Sequence, residues 1–178
     1  INSCAVTQEA EKKVSYEIRR AKKKFPNNKI VVTGCAAQIN PLKYKELKEV
    51  DSVIGNTEKL QSLIWQNIEK SHSFKVGNIL GENKTIPNSI EKFEGKSRAY
   101  IEIQQGCNHR CTFCIIPFGR GNNRSVPAGE IVAKIKKIVS NGYNEVVLTG
   151  VDITDYGKDL PAKPTFSNLI KRILKLVP

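Results

Sequence analysis

The sequence predicts an α/β protein made of two pieces, and three observations carry that prediction. Short Val- and Ile-rich runs alternate with longer stretches whose apolar residues recur every three or four positions, the mark of strands interleaved with amphipathic helices. Alternation of that kind implies a parallel sheet with covered faces. Between His72 and Ser97 the pattern dissolves into Gly, Asn, Lys, Pro and Ser, so a junction falls there. Beyond it the order strand, loop, helix, strand, loop, helix is the start of a (β/α) barrel, a fold whose ligands gather at the C-terminal ends of the strands. We divide the chain into a first domain over 1–75, a linker over 76–92 and a second domain over 93–178.

The elements follow in order. Thr7 to about Lys24 reads as a helix, with Ala10, Val14, Ile18 and Ala21 on one face, Thr7 placed to cap it and Lys22, Lys23 and Lys24 complementing the dipole in its last turn. Pro26-Asn27-Asn28 stops it. Ile30–Thr33 is a buried strand leading into Gly34 and Cys35. Pro41 to about Lys48 is a short helix, Ser52–Ile54 a short strand, and Thr57 to Glu69 another amphipathic helix. Arg98 to Gln105 is a strand by alternation, Ala99, Ile101 and Ile103 on one face and Tyr100, Glu102 and Gln104 on the other. Pro127 to about Ser140 is a helix with Ile131, Ile135, Ile138 and Val139 inward, and Asn141-Gly142 ends it. Glu145–Thr149 is the next strand and Thr165 to Val177 a further helix.

The composition narrows the partners. Net charge is +12, and the excess is even: 15 basic against 9 acidic residues through Ile90, 14 against 8 beyond it. No basic tail accounts for it. A charge of this kind fits either a solvated Lys-rich surface or attraction to a phosphate backbone. No run of 18 apolar residues exists, so no membrane partner is expected. The chain has no methionine and opens on Ile1, so it reads as an internal piece of a longer protein. Its five cysteines are odd in number and three are crowded together, a pattern of reduced, metal-binding thiols in a cytoplasmic protein.

Those three are Cys107, Cys111 and Cys114, in Cys107-Asn-His-Arg-Cys111-Thr-Phe-Cys114. Three thiolates on one tight turn can hold an iron–sulfur centre and leave it one ligand short, open for something else to bind.

The run from Gly106 through Cys107, Cys111, Cys114, Ile115, Ile116 and Pro117 to Gly119-Arg120-Gly121 resembles the signature of radical S-adenosylmethionine enzymes, and within them the methylthiotransferase branch. That resemblance implies a 4Fe–4S cluster on Cys107, Cys111 and Cys114, with S-adenosylmethionine chelating the fourth iron and cleaved to a 5′-deoxyadenosyl radical. Phe113 then packs near the adenine, Gly150 and Asp152 sit where the family touches the methionyl amine, and Arg120 or Arg124 pairs with a carboxylate or an RNA phosphate. Asn2-Ser3-Cys4-Ala5-Val6-Thr7 and Thr33-Gly34-Cys35-Ala36-Ala37-Gln38 resemble the family's N-terminal domain. This implies that Cys4 and Cys35 are two of three ligands to an auxiliary 4Fe–4S cluster, the third lying before residue 1. The fold implied is an α/β methylthiotransferase domain followed by the first part of a radical-SAM (β/α) partial barrel.

Within the family the chain looks most like the enzyme acting on threonylcarbamoylated adenosine in tRNA, on Ile115-Ile-Pro-Phe-Gly-Arg-Gly-Asn-Asn-Arg-Ser125 among others. Isopentenylated adenosine in tRNA and an aspartate of a ribosomal protein are the alternative substrates. The resemblance implies that one S-adenosylmethionine methylates a sulfur of the auxiliary cluster and a second generates the radical that takes hydrogen from C2 of the adenine. An external donor such as flavodoxin or ferredoxin supplies electrons.

Other readings of the same residues remain. A zinc site on the three cysteines with His109 would make a non-catalytic RNA-binding module, and a fully ligated cluster would make an electron carrier. Cys4 and Cys35 can be buried thiols. Phe113 can be core, Arg120 and Arg124 solvated surface, and Asp152 a turn cap. His72 reads as an inert linker residue.

Overall fold

The computed structural model describes residues 1–68, 73–83 and 97–177. Its contacts fall into two compact units, residues 1–82 with 109–121, and residues 83–108 with 122–178. His72, Glu69, Pro178 and the stretch 84–96 of the expected junction lie outside the described residues.

The first unit is a parallel sheet of four short strands, β1 (Asn2–Ser3), β2 (Val31–Gly34), β3 (Ser52–Ile54) and β4 (Phe74–Lys75), in sequential order. Helix α1 (Gln8–Lys24) joins the first two. The Thr7 hydroxyl accepts from the Ala10 amide, a cap worth about 1 kcal/mol, and the acidic first turn and triple-lysine last turn suit the dipole. Val14 and Ile18 are the buried stripe, packed with Ile30, Val32, Val53, Ala36, Ala37 and Tyr44.

Helix α2 (Cys35–Ile39) begins directly on the end of β2, where the sequence reading placed only the end of a strand. Helix α3 (Pro41–Lys45) is shorter than expected, and past it the Leu47 amide donates to the Tyr44 carbonyl (3.3 Å), three residues back rather than four. The expected helix over Thr57–Glu69 is two pieces, a 3-10 turn at Glu58–Leu60 and α4 (Ser62–Asn67). Gln61 between them is extended (φ −90°, ψ 113°), and the Trp65 indole donates to the Lys59 carbonyl (2.7 Å) across the break. β4 was not legible at all. It is two exposed residues that complete the edge, in a stretch whose composition reads as loop.

The second unit is built on β5 (Arg98–Gln105). Between β4 and β5 in sequence no further strand or α-helix is described, and α5 (Ile116–Arg120), from the segment grouped with the first unit, follows β5 along the chain. A two-residue strand β6 (Arg124–Ser125) pairs with β5 antiparallel, and after α6 (Ala128–Ser140) comes β7 (Glu145–Gly150), parallel to β5 on its other side. Helix α7 (Phe166–Leu176) is capped by the Thr165 hydroxyl. Ala99, Ile101 and Ile103 are wholly buried against Ile131, Ile135 and Ile138 of α6 and Leu169 of α7, as alternation predicts.

Two inward–outward expectations fail. Val139 is 43% exposed, because it sits in the last turn of α6 at the edge of the stripe that Ile131, Ile135 and Ile138 centre. Gln104 is fully buried, because the β5–β7 register shifts between Glu102 and Gln104 and the chain after β7 folds over it.

Candidate functional site

In the first unit the residues of interest line up at the C-terminal ends of parallel strands, where open α/β sheets place their ligands. Ser3 of β1 is in register with Gly34 of β2, so Cys4 and Cys35 each follow one of a pair of paired residues. Ser3 ties the turn together: its hydroxyl donates to the Thr33 carbonyl (2.6 Å) and accepts from the Ala37 amide (3.0 Å). Gly34 is required there. Its φ is +100°, and a Cβ on it would lie 2.3 Å from the Ser3 carbonyl oxygen. Cys4 is exposed and Cys35 half-buried, both as free thiols, so the alternative of two buried structural thiols is set aside. Two accessible soft donors at neighbouring strand ends fit an iron–sulfur cluster.

Side chains from distant parts of the chain surround Cys35, and of these Asn56 was not singled out in the sequence. Asn56, two positions past β3, directs its amide nitrogen at the Cys35 sulfur (3.7 Å) and at the Gly119 carbonyl (2.7 Å). Arg120 at the end of α5 donates from Nε to the same sulfur at 3.1 Å. Gln38 clamps this edge, accepting from the Asn56 amide (2.8 Å) and donating to the Gly77 carbonyl (2.9 Å). One signal could have found Asn56: Gly55-Asn56 stands after its strand just as Cys4 and Cys35 stand after theirs.

The second unit holds Cys107, half-buried, with its sulfur 3.6 Å from the Asp152 carboxylate. Asp152 is held by Gln104, whose side-chain oxygen accepts from the amides of Val151 and Asp152, both at 2.8 Å. The Gln104 nitrogen donates to the Gly106 carbonyl (2.7 Å) and to Asn123 Oδ1 (2.6 Å). One glutamine thus joins the ends of β5 and β7. Gly150 is where β7 pairs with Gln104, and a Cβ there would meet the Gln104 oxygen at 2.9 Å. Asp152 caps the 3-10 turn at Ile153–Asp155 through its backbone, not its side chain, which accepts from the Thr154 hydroxyl (2.6 Å).

Arg124 is buried, its Nη2 on Gln105 Oε1 (3.2 Å), so it is not solvated surface. Nearby, Asp159 accepts from the Ser125 amide (2.8 Å), the Ser125 hydroxyl (2.6 Å) and the Asn123 amide (3.0 Å).

Cys111 and Cys114 belong to the segment grouped with the first unit; Cys111 is exposed and Cys114 half-buried, and both are free. Phe113 between them is 90% exposed, which excludes a core role. His109 is exposed. Thiolates are the soft donors that iron–sulfur clusters take, and none of the three cysteines of this run is deeply buried or in a disulfide.

Comparison with known proteins gives two family matches in chain order. Residues 1–55 match the uncharacterized protein family UPF0004, and residues 101–176 match the radical SAM superfamily. The chain is 54% identical over 177 residues to the threonylcarbamoyladenosine tRNA methylthiotransferase MtaB of Rickettsia prowazekii, covering 99% of this chain and 42% of that protein. It is 39% identical over 163 residues to the protein of the same name from Aquifex aeolicus (89% of this chain, 40% of that one). A tRNA-2-methylthio-N(6)-dimethylallyladenosine synthase of Clostridium botulinum is 36% identical over 179 residues, 97% of this chain and 40% of that protein. The chain therefore spans about two fifths of the length of these relatives. The radical SAM match implies S-adenosylmethionine and 4Fe–4S chemistry, and no described helix is long and apolar enough to cross a membrane. With both segments matched in order and this identity across nearly its whole length, the chain carries a UPF0004 segment followed by a radical SAM segment and is similar to tRNA methylthiotransferases throughout.

Proposed function

We propose that the protein carrying this chain methylthiolates C2 of N6-threonylcarbamoyladenosine beside the tRNA anticodon. The observation that carries this reading is the 54% identity, over 99% of the chain, to a relative named for that reaction. Cys107, Cys111 and Cys114 hold the radical cluster, and Phe113, Gly150 and Asp152 bind S-adenosylmethionine against it. Arg120, which the sequence groups with them, has its Nε on Cys35. Cys4 and Cys35, with a third ligand from elsewhere in the protein, hold a second cluster. When bound, these groups supply the electron, the radical precursor and the sulfur that substitution at an unactivated C–H needs.

The chain's own residues do the positioning. Gln104 fixes the two amides at Val151 and Asp152 and so sets the Asp152 carboxylate, a hydrogen-bond acceptor for a substrate ammonium. Along α1 a groove of about 600 Å3 is lined by Lys12, Tyr16, Arg19 and Lys43 among others. Exposed cations around an exposed tyrosine suit an RNA backbone. The domain division at 76–92, the cytoplasmic location and a flavodoxin or ferredoxin donor belong to the same proposal.

The test is mass spectrometry of tRNA nucleosides from cells lacking the gene. Loss of 2-methylthio-threonylcarbamoyladenosine, with its unmodified precursor accumulating, supports the assignment. Intact product there overturns it, and loss of the dimethylallyl product instead moves the protein to the other tRNA branch. Substituting Cys107→Ala in the complementing gene should fail to restore the product.

A further inference from the structure

The sulfur of Cys35 is met by two N–H donors that come from distant points of the chain. Arg120 Nε lies 3.1 Å away and Asn56 Nδ2 3.7 Å. The orientation of the Asn56 amide is settled by its other partners. Its oxygen accepts from the Lys59 ammonium (2.7 Å), a group that can only donate, so the NH2 must be the end facing Gly119 and Cys35. One of its hydrogens goes to the Gly119 carbonyl at 2.7 Å and the other is left for the sulfur. Asn56 is buried, with its own amide fixed by Gln38 at 2.8 Å, so this side chain has little freedom. Gly119 brings the Arg120 backbone close, since a Cβ on residue 119 would stand 2.9 Å from the Cys35 Cβ. Nothing in the packing of a plain thiol calls for a guanidinium and a locked amide together.

We propose that Arg120 and Asn56 are positioning residues for the Cys35 sulfur, whose N–H···S hydrogen bonds orient it and raise the reduction potential of the cluster it ligates. The inference rests on the reading that Cys35 ligates a cluster. Its physical basis is that hydrogen bonds and positive charge at a ligating sulfur withdraw electron density and favour the reduced state. Arg120 is charged and close, so its effect is the larger. Lys59, bonded to the far end of the Asn56 amide, adds to the polarisation of that donor.

The experiment uses the full-length protein, reconstituted anaerobically with Cys111→Ala and Cys114→Ala so that only the cluster at Cys35 can form. Redox titration followed by electron paramagnetic resonance gives its midpoint, with iron and sulfide counted in every sample. Arg120→Met is expected to move the midpoint to more negative potential, Arg120→Lys to restore part of it, and Asn56→Ala to shift it in the same direction by less. Iron and sulfide content stay the same in each. If Arg120→Met cannot hold the cluster, Arg120→Lys and Asn56→Ala carry the test. Midpoints equal to the parent's with full cluster content overturn the proposal alone, and the cluster reading survives. Unchanged iron content on adding Cys35→Ala shows that no cluster sits there and removes both.

Discussion

The two groups of cysteines in this chain are placed in opposite ways. Cys107, Cys111 and Cys114 stand within eight consecutive residues, so their nearness is a matter of local sequence alone. The surroundings of Cys35 come from Cys4, Asn56, Gly119 and Arg120, and every one of those neighbours is far away in sequence. A local site needs a turn, whereas a distributed one needs the whole parallel sheet β1–β4 in register. Loop-closure entropy sharpens the contrast, because each distant partner must be brought in by folding before any contact rewards it. The site around Cys35 should therefore report on the stability of its unit, and a break in the sheet should be felt there first.

Glycine substitutions give the largest test of that difference. Gly34→Ala places a Cβ against the Ser3 backbone at 2.3 Å in a left-handed conformation, and Gly157→Ala places one 1.8 Å from the Pro164 carbonyl oxygen at φ +83°. Each is expected to destabilise by about 3 kcal/mol or more. Their consequences differ. Gly34→Ala should pull β1 off β2 and raise the alkylation rate of Cys35 several-fold, while Gly157→Ala, equally destabilising by urea midpoint, should leave Cys35 labelling in the folded protein unchanged. Equal labelling in the two variants would mean that the Cys35 environment does not depend on the β1–β2 register.

Next comes Gln104, the hub of the second unit. Gln104→Leu preserves volume but leaves the amides of Val151 and Asp152 without the acceptor they use. Stranding a fully buried donor costs about 1–3 kcal/mol, and these two are part-buried, so a loss of about 2 kcal/mol is expected by denaturant unfolding. Faster amide exchange should be confined to residues 150–153. Protection unchanged at those amides would show that the β7 end is held by something else.

Gln104 also shows where reading the sequence stopped short. Alternation along Arg98–Gln105 located the buried face through Ala99, Ile101 and Ile103, because burial of apolar residues is written locally. It put Gln104 outside, since a register shift and the cover from residues 151–152 are made by another strand. The same holds for the sites. Every cysteine was visible as a residue and the crowded three as a pattern, but nothing local marked Asn56 or Asp159, whose partners lie 21 and 34 positions away. Helices capped by their own neighbours, α1 by Thr7 and α7 by Thr165, were legible to within a residue. α4 was not, because the Trp65 indole reaches back to the Lys59 carbonyl across an extended Gln61.

A buried tyrosine in each unit sharpens the comparison further, with opposite signs. Tyr156 is 2% exposed and donates to the Val126 carbonyl (2.8 Å), so Tyr156→Phe is expected to cost about 1 kcal/mol. Tyr44 is 0% exposed, and among the described residues its hydroxyl has no partner, so Tyr44→Phe should be neutral or stabilise by up to about 1 kcal/mol. Burial, and then the nearby Asp159 charge, push the Tyr156 phenol up to about 12. An acid whose folded pKa is raised stabilises fully below its unfolded value near 10 and loses that contribution as pH rises toward 12. Wild-type stability should thus fall by about 2 kcal/mol across that window, and the fall should be shallower in Tyr156→Phe. Parallel alkaline curves for the two proteins would remove Tyr156 as the titrating group.

The smallest effects are expected where both units do the same thing. Lys43 pairs with Glu11 in the first unit and Arg98 with Glu145 in the second, at side-chain exposures of 41% and 36%, and 49% and 51%. The hydrogen bond to Glu11 holds the Lys43 ammonium above its usual range. Solvent at these exposures screens the pairing, so neither Lys43→Met nor Arg98→Met should cost more than about 0.5 kcal/mol, and molar salt should erase the difference from wild type. Lys43 has one further property: it lines the α1 groove with Lys12 and Arg19. If RNA lies there, Lys43→Met leaves the urea midpoint alone but lowers the salt dependence of tRNA binding by about one charge, and Arg98→Met does not. Equal salt slopes in the two variants would leave the groove a solvated face of α1.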